Sequence, residues 1–265
     1  MKIYLYTALS FILIFCPAAT QDRPMSIGEK FHHETGFDEH GAVSDNLKFG
    51  DSLPLYKTYR DSPKAKLPPI EFSGLSFEDA LRLRQSVRNF KDSSISPDYM
   101  SILLQAAYGI TRHSPGELNS RRTVPSGGAL YPMEIYVVIN NVEGFDAGLY
   151  HFQVSDHSLE LIREGTYAGE LNVAANRQAC VGRSPITVIL AARFDRSTRK
   201  YADRGYRYTY IEAGAICQNI YLQATSLGLG TVAVGAFNDA ALNELLQIDG
   251  QNEAAILIMP VGWPH

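Results

Sequence analysis

The chain has 265 residues, of which 45% are hydrophobic and 20% charged, with a formal net charge of −4. That is the composition of an ordinary globular protein, and it excludes the broad basic field of a nucleic-acid binder; a polyanionic ligand would have to be met by local arginines. Three cysteines with no CxxC exclude a disulfide framework: Cys16 lies near the N-terminus, and Cys180 and Cys217 either pair or sit as buried apolar residues, the second reading being favoured for Cys217 by its apolar helical surroundings.

In chain order, residues 1–20 have the build of a secretory signal peptide. Lys2 gives a basic start, residues 3–15 are mostly apolar, small residues follow, and Gln21 opens a polar stretch. The apolar run is too short to span a bilayer comfortably, so export with no stable membrane span after signal removal is expected, an uncleaved anchor being the alternative. Residues 21–70 are polar and rich in proline and read as an N-terminal arm. Its His32, His33 and His40, with Glu34 and Asp38, lack compact ligand spacing, so solvated histidines are expected and no metal site.

Residues 71–265 read as the body. Ser76, with Asp79 three residues on, opens a helix. Ser96 followed by Pro97 opens a second through Ala107. Strands are expected at 134–139, 149–153, 158–162, 186–192, 231–235 and 255–261, and further helices at 167–179, 207–227 and 238–247. The 207–227 helix is apolar nearly all round and is expected to be buried. Glu212 within it must then be paired or hydrogen-bonded, in the first instance to a nearby arginine. Helices mixed with strands that do not alternate with them give an α+β fold class.

Three stretches can carry chemistry. Arg84, Ser86 and Arg88 place two cations four residues apart around a hydroxyl, a set able to converge on one phosphate; a solvated basic helix end is the plainer alternative. Pro125, Ser126, Gly127 and Gly128 form a turn whose glycines let a backbone lie against a flat ligand. Gly228, Gly230 and Ala233 match a dinucleotide GxGxxA on paper, but a helix precedes them and a strand follows, the reverse of what that fingerprint needs; Gly228 reads as a helix C-cap.

The order RQSVRNF, PSGGALYP, then the helix containing EAGAICQNIYLQATSLGLGT leading into VAVGAFND, resembles the FMN-dependent nitroreductase family. PSGGALYP in place of the commoner Pro-Ser-Ser turn, with FHHETGF, LPLYKTY, KYADRGYRY and PVGWP, is similar to the SagB-type dehydrogenase branch, over about residues 25–265. The resemblance implies a nitroreductase-like fold, a mainly antiparallel central sheet flanked by helices around a long buried helix. It implies a homodimer with FMN at the interface and hydride passing through flavin N5. Arg84, Ser86 and Arg88 would hold the phosphate. Pro125, Ser126, Gly127 and Gly128 would lie along the ring, donated across the dimer, with Arg122 near its pyrimidine end. Gly235 and Ala236 would face N5, and Gly230 and Thr231 would lead into their strand.

The family's C-terminal basic residue is replaced here by Trp263, Pro264 and His265, leaving His265 or nothing in that role. In the branch's azoline oxidases a Lys-Tyr pair is catalytic, and Lys200 and Tyr201 match it; a solvated charge-rich loop is the alternative. The implied substrate is a small molecule or a peptide, with NAD(P)H, quinol or a redox protein as electron donor. An azoline oxidase of peptide maturation and a non-catalytic flavin-binding protein are the competing functions.

Overall fold

The computed structural model describes residues 24–36, 53–114 and 120–265. The expected signal peptide at 1–20, and Asp38 and His40, lie outside them. The chain divides into two compact units, 1–40 and 41–265. In the first, helix α1 (Ile27–Glu34) starts with a reciprocal cap: the Ser26 hydroxyl accepts from the Glu29 N–H, and the Glu29 carboxylate accepts from the Ser26 N–H. His32 and His33 are exposed on it. Among the described residues no helix is long and apolar enough to cross a membrane.

The second unit runs β1 (Lys64–Lys66), α2 (Phe77–Leu83), α3 (Pro97–Tyr108), β2 (Ile110–Arg112), β3 (Arg121–Arg122), a 3-10 turn (Gly127–Ala129), β4 (Met133–Ile139), β5 (Gly148–Gln153), β6 (Ser158–Glu164), α4 (Ala168–Ala174), α5 (Ala179–Arg183), β7 (Ile186–Arg193), α6 (Phe194–Tyr201), α7 (Arg204–Ser226), β8 (Gly230–Thr231), α8 (Asp239–Leu246) and β9 (Glu253–Gly262). Among the described residues seven strands form one sheet in the order β1-β6-β5-β4-β7-β9-β8, each antiparallel to its neighbours. Residues 64–66, read from sequence as part of the arm, are its edge strand.

The central strands are apolar without alternation because both faces are covered. Ile135, Val137 and Ile139 pack with α3 and α7 through Leu103, Ala107, Ile216 and Ile220. Val138 and Ile189 pack on the other face with α4, α5 and α8 through Leu171, Val181, Leu242 and Leu245. Each such side chain contributes about 1.5–3 kcal/mol on burial. The caps form as the sequence predicts: Ser76 and Ser96 accept from Asp79 and Tyr99 N–H groups. Gly228, at φ 73°, ends α7 while Leu229 and Gly228 donate back to the Ala224 and Thr225 carbonyls.

Four local expectations change. The 167–179 helix breaks into α4 and α5, because Asn176 and Arg177 adopt φ of 53° and 59°. The strand at 231–235 shortens to Gly230–Thr231, with Val234 bridging Ile258 alone. The charge-rich stretch from residue 194 is helix α6, not a loop; it buries Phe194, Arg196 and Ser197. Helix α7 is buried along one stripe, through Thr209, Ala213, Ile216, Ile220 and Ala224, but Tyr210 and Ile211 are 47% and 69% exposed.

An ionic network lies within the sheet. His151 bonds Glu160 through Nδ1 and Glu134 through Nε2, each at 3.0 Å, and Arg196 binds Glu134 at 2.6 Å. Burial alone would raise the Glu134 carboxyl, but the Arg196 guanidinium and the His151 bond outweigh it and hold it at about 2. Burial likewise opposes ionisation of Glu160, and bonds from His151, the Tyr59 N–H and Lys64 bring it to about 2. The two glutamates raise His151 against its own burial.

Candidate active site

The Pro-Ser-Gly-Gly turn leaves β3 and enters β4. The Ser126 hydroxyl accepts the Tyr131 N–H at 2.9 Å and so closes the turn on itself. Gly128, Ala129 and Tyr131 have φ of 65°, 56° and 47°. The left-handed conformation suits Gly128 but strains Ala129 and Tyr131. Arg196 holds the far end by donating to the Tyr131 carbonyl at 3.0 Å. Pro125, Gly127 and Gly128 stay exposed.

Lys200 and Tyr201 come from the end of α6 to this turn. A Cβ on Gly128 would fall 2.5 Å from the Tyr201 hydroxyl and 2.7 Å from Lys200 Nζ, so the missing side chain makes the room they occupy. Gly127 faces the ring of Tyr208, which meets Tyr201 edge-on at 4.8 Å between centroids. Ala202, at φ 47°, turns the chain into α7. Gly205 permits the close packing of α7 on α6, since a Cβ there would lie 2.7 Å from the Ser197 carbonyl carbon. The motif residues 125–128 and the Lys200–Tyr201 pair, more than seventy positions apart, thus share one surface.

Beneath the turn lies a group that sequence reasoning paired differently. Glu212 is 3% exposed and accepts a 2.5 Å hydrogen bond from the Tyr108 hydroxyl, not an arginine. Tyr108 in turn accepts the Met133 N–H at 3.2 Å. Burial pushes the Glu212 carboxyl up to about 7, against the opposing influence of the Ser126 and Tyr108 hydroxyls and of Arg122 and Arg196. Its Oε2 is buried without a hydrogen-bond partner among the described residues. Arg122 is itself only 9% exposed, its guanidinium enclosed by the rings of Tyr108, Tyr131 and Tyr56 at 4.2, 4.4 and 5.5 Å. The guanidinium therefore lies within an aromatic cage, while the neighbouring turn residues are exposed.

Arg84, Ser86, Gly230 and Thr231 meet at the other end of α7. Ser86 bridges Thr231, the Val87 N–H donates to the Thr231 carbonyl at 2.8 Å, and Gly230 fits because a Cβ would lie 2.6 Å from that of Val87. Tyr221, which no sequence signal singles out, organises this corner. Its hydroxyl bonds Ser86 at 3.0 Å and accepts the Ala233 N–H at 2.8 Å, and Arg84 lies over its ring at 5.1 Å. Arg84 and Arg88 form no ion pair among the described residues. Arg88 acts electrostatically on Cys180, at the start of α5. Gly235 and Ala236 follow on an exposed loop that Gln178 ties down through the Ala236 carbonyl at 2.9 Å. His265 lines a separate cleft with Phe90, Lys91 and Arg183. Cys180 and Cys217 are free thiols; Cys180 is buried and Cys217 half-buried, with burial raising Cys217 to about 11.

Several of the predicted residues therefore form two groups. One is an open glycine turn carrying Lys200 and Tyr201; the other is a cationic corner carrying Arg84 and Ser86. Tyr208 and Tyr221 mark their positions on α7, roughly 20 Å apart at 1.5 Å per residue.

Residues 81–263 match the model of the nitroreductase family. The chain belongs to the nitroreductase family. It is 43% identical over 202 residues to a Methanocaldococcus jannaschii protein provisionally named a nitroreductase, covering 76% of this chain and 97% of that one. It is 27% identical to the microcin B17-processing protein McbC of Escherichia coli, over 56% of this chain and 57% of that protein. It is 30% identical to the trifolitoxin-processing protein TfxB of Rhizobium leguminosarum bv. trifolii, over 62% of this chain and 46% of that protein. The chain thus spans about half the length of each processing protein, and both similarities agree with the SagB-type branch. A structure from Anabaena variabilis, also provisionally named a nitroreductase, superposes with a TM-score of 0.73 at 24% identity, over 93% of this chain and 49% of that one. That likeness concerns the fold. The nitroreductase-like α+β architecture expected from the motifs is the one found.

Proposed function

We propose that this nitroreductase-family protein is an FMN-dependent oxidoreductase whose cofactor sites are completed by two copies of the chain. One observation carries the reading: the glycine turn with Lys200 and Tyr201 lies at one end of α7, and an arginine corner without an ion pair among the described residues lies at the other. The residues fit the cofactor. Arg84 and Arg88, without carboxylate partners among the described residues, and the Ser86 hydroxyl suit a phosphate, each charge-assisted bond being worth about 1.5–3 kcal/mol. Pro125, Ser126, Gly127 and Gly128 offer backbone free of bulky side chains to a flat ring. Gly235, where an added Cβ would meet nothing within 4 Å, and Ala236 offer an open backbone to the ring nitrogen, with Gly230 and Thr231 anchoring their strand.

Bound FMN supplies a ring nitrogen that takes up and releases hydride. Lys200 and Tyr201 stand where they can hold or remove a substrate proton during that exchange. The exposed apolar residues Tyr210 and Ile211 on α7 give the second copy a surface between the two half-sites. Export through the 1–20 signal is part of the proposal, and quinol or a redox protein then replaces NAD(P)H as the donor.

A second reading, oxidation of azoline rings in a peptide, is favoured by the similarity to the two toxin-processing proteins and by the position of Lys200 beside Gly128. Purification of residues 21–265 tests both. Stoichiometric yellow FMN, reducible by quinol or a redox protein in preference to NADH or NADPH, is expected; a colourless protein that refuses FMN sinks both readings. Bound FMN without turnover with any donor or acceptor would favour a non-catalytic binding protein. Lys200→Ala should retain FMN and lose turnover, and full activity in that variant would return Lys200 to the role of a surface charge.

A further inference from the structure

We propose that Arg196, held by Glu134, is a positioning residue for Lys200 and Tyr201: it ties the strained end of the glycine turn to helix α6 and so sets where that pair stands on the turn. What the pair then does rests on the flavin reading. The contacts that place it are independent of that reading.

Tyr131, at φ 47°, ends the turn in a conformation that a bulky residue keeps only where its surroundings hold it. Three hydrogen bonds do so. Its N–H donates to the Ser126 hydroxyl at 2.9 Å, its own hydroxyl donates to the Ser120 carbonyl at 3.0 Å, and its carbonyl accepts from Arg196 Nη1 at 3.0 Å. The first two stay within the turn and the segment before it; the third reaches α6. Lys200 is four residues on from Arg196, one helical turn along the same face, and Tyr201 follows. The Arg193 N–H pins the start of that helix by donating to the Pro132 carbonyl at 2.7 Å. The fit at the far end is close, since a Cβ on Gly128 would fall 2.5 Å from the Tyr201 hydroxyl and 2.7 Å from Lys200 Nζ. A small shift of α6 against the turn therefore opens that contact.

Arg196 and Glu134 are 3% and 4% exposed. Arg196 Nη2 donates to Glu134 Oε1 at 2.6 Å, the other Glu134 oxygen meets His151 Nε2 at 3.0 Å, and His151 Nδ1 meets Glu160 at 3.0 Å. Glu134, His151 and Glu160 lie on β4, β5 and β6, so three adjacent strands brace the guanidinium. A buried ion pair is a poor source of stability, because apolar residues of the same volume often do as well. What this one supplies is direction. The planar guanidinium carries its donors in a fixed fork, one aimed at the strand and one at the turn, whereas a lysine ends in a single ammonium on a flexible stem.

The test is fluorine NMR of the purified chain with fluorotyrosine in place of Tyr201, before and after FMN is added. One resonance displaced from that of free fluorotyrosine is expected, because the Tyr208 ring stands edge-on at 4.8 Å. Arg196→Lys keeps a cation beside Glu134 but loses the fork, and its resonance should move toward the free value. Arg196→Met combined with Glu134→Gln leaves neither charge buried alone, and should give the same movement with the fold kept by circular dichroism. A folded variant with the native resonance overturns the proposal; failure of both variants to fold makes the pair structural and overturns it as well. In FMN-loaded protein, Arg196→Lys should slow reduction of the flavin by menadiol by up to about a hundredfold. It should add no loss to Lys200→Ala combined with Tyr201→Phe, and a further loss there shows that Arg196 acts by another route and overturns the positioning role. If FMN does not bind, the resonance still decides the placement, and its service to flavin chemistry falls with the flavin reading.

Discussion

Arg84 is half-buried against the Tyr221 ring and has no carboxylate partner among the described residues, so its charge is available to an anion. Removing it should cost the phosphate one charge-assisted bond, about 1.5–3 kcal/mol, or roughly a ten- to hundredfold rise in the FMN dissociation constant. Fluorescence titration of Arg84→Ala checks this, and undiminished affinity would refute the phosphate role. Arg122 differs although it is the same residue type in the same kind of basic stretch. Three tyrosine rings enclose it, and its positive charge acts on Glu134 and Glu212. Both arginines were visible in the sequence, but their surroundings were not.

At the scale of elements, the site depends on how α6 is held against α7. The two meet at Gly205, where a Cβ would lie 2.7–2.9 Å from backbone atoms of Ser197 and Thr198. Backbone cannot swing aside as a long side chain can, so Gly205→Ala should destabilise the fold by about 1–3 kcal/mol. It should also move Lys200 and Tyr201 off the turn. Urea unfolding with parallel activity measurements checks both; an unchanged midpoint would mean that the helices have slack there. Helix α6 was hidden in the sequence because its charge run reads as a solvated loop, whereas Arg196 is only 3% exposed and bonds both Tyr131 and Glu134.

For the whole molecule, the buried network sets the response to acid. Glu134 and Glu160 have carboxyls held at about 2 in the fold against an ordinary 4.5, so the stability they supply is present above about 4.5 and is lost as pH falls toward 2. His151 works in the other direction: its contribution is complete below its ordinary 6.5 and is lost as pH rises through its raised folded value. The thermal midpoint followed by circular dichroism should therefore drop between pH 4.5 and 2. Glu134→Gln should lower it at neutral pH, where Arg196 loses its partner, and blunt the acid drop. An equally steep drop in that variant would locate the acid sensitivity elsewhere. Association is the other property at this scale. Ile211→Glu puts a charge on the exposed stripe of α7; under the proposed dimer it should give a monomer in sedimentation, with loss of FMN, and a variant that remains dimeric would move the interface off α7.

The sequence by itself determined the fold class, the caps at Ser76, Ser96 and Gly228, and the central strands, which follow from local backbone preference and hydrophobic period set by neighbouring residues; the family was legible only through the resemblance of its ordered motifs. The tertiary structure decided the company each site residue keeps. It brought Gly128 to Lys200 and Tyr201, gave Glu212 to Tyr108 in place of an arginine, and separated the turn from the Arg84 corner by most of α7. Contacts between residues far apart in the chain depend on how helices and sheet close on one another, and burial, which pushes the Glu212 carboxyl up, exists only once they have closed.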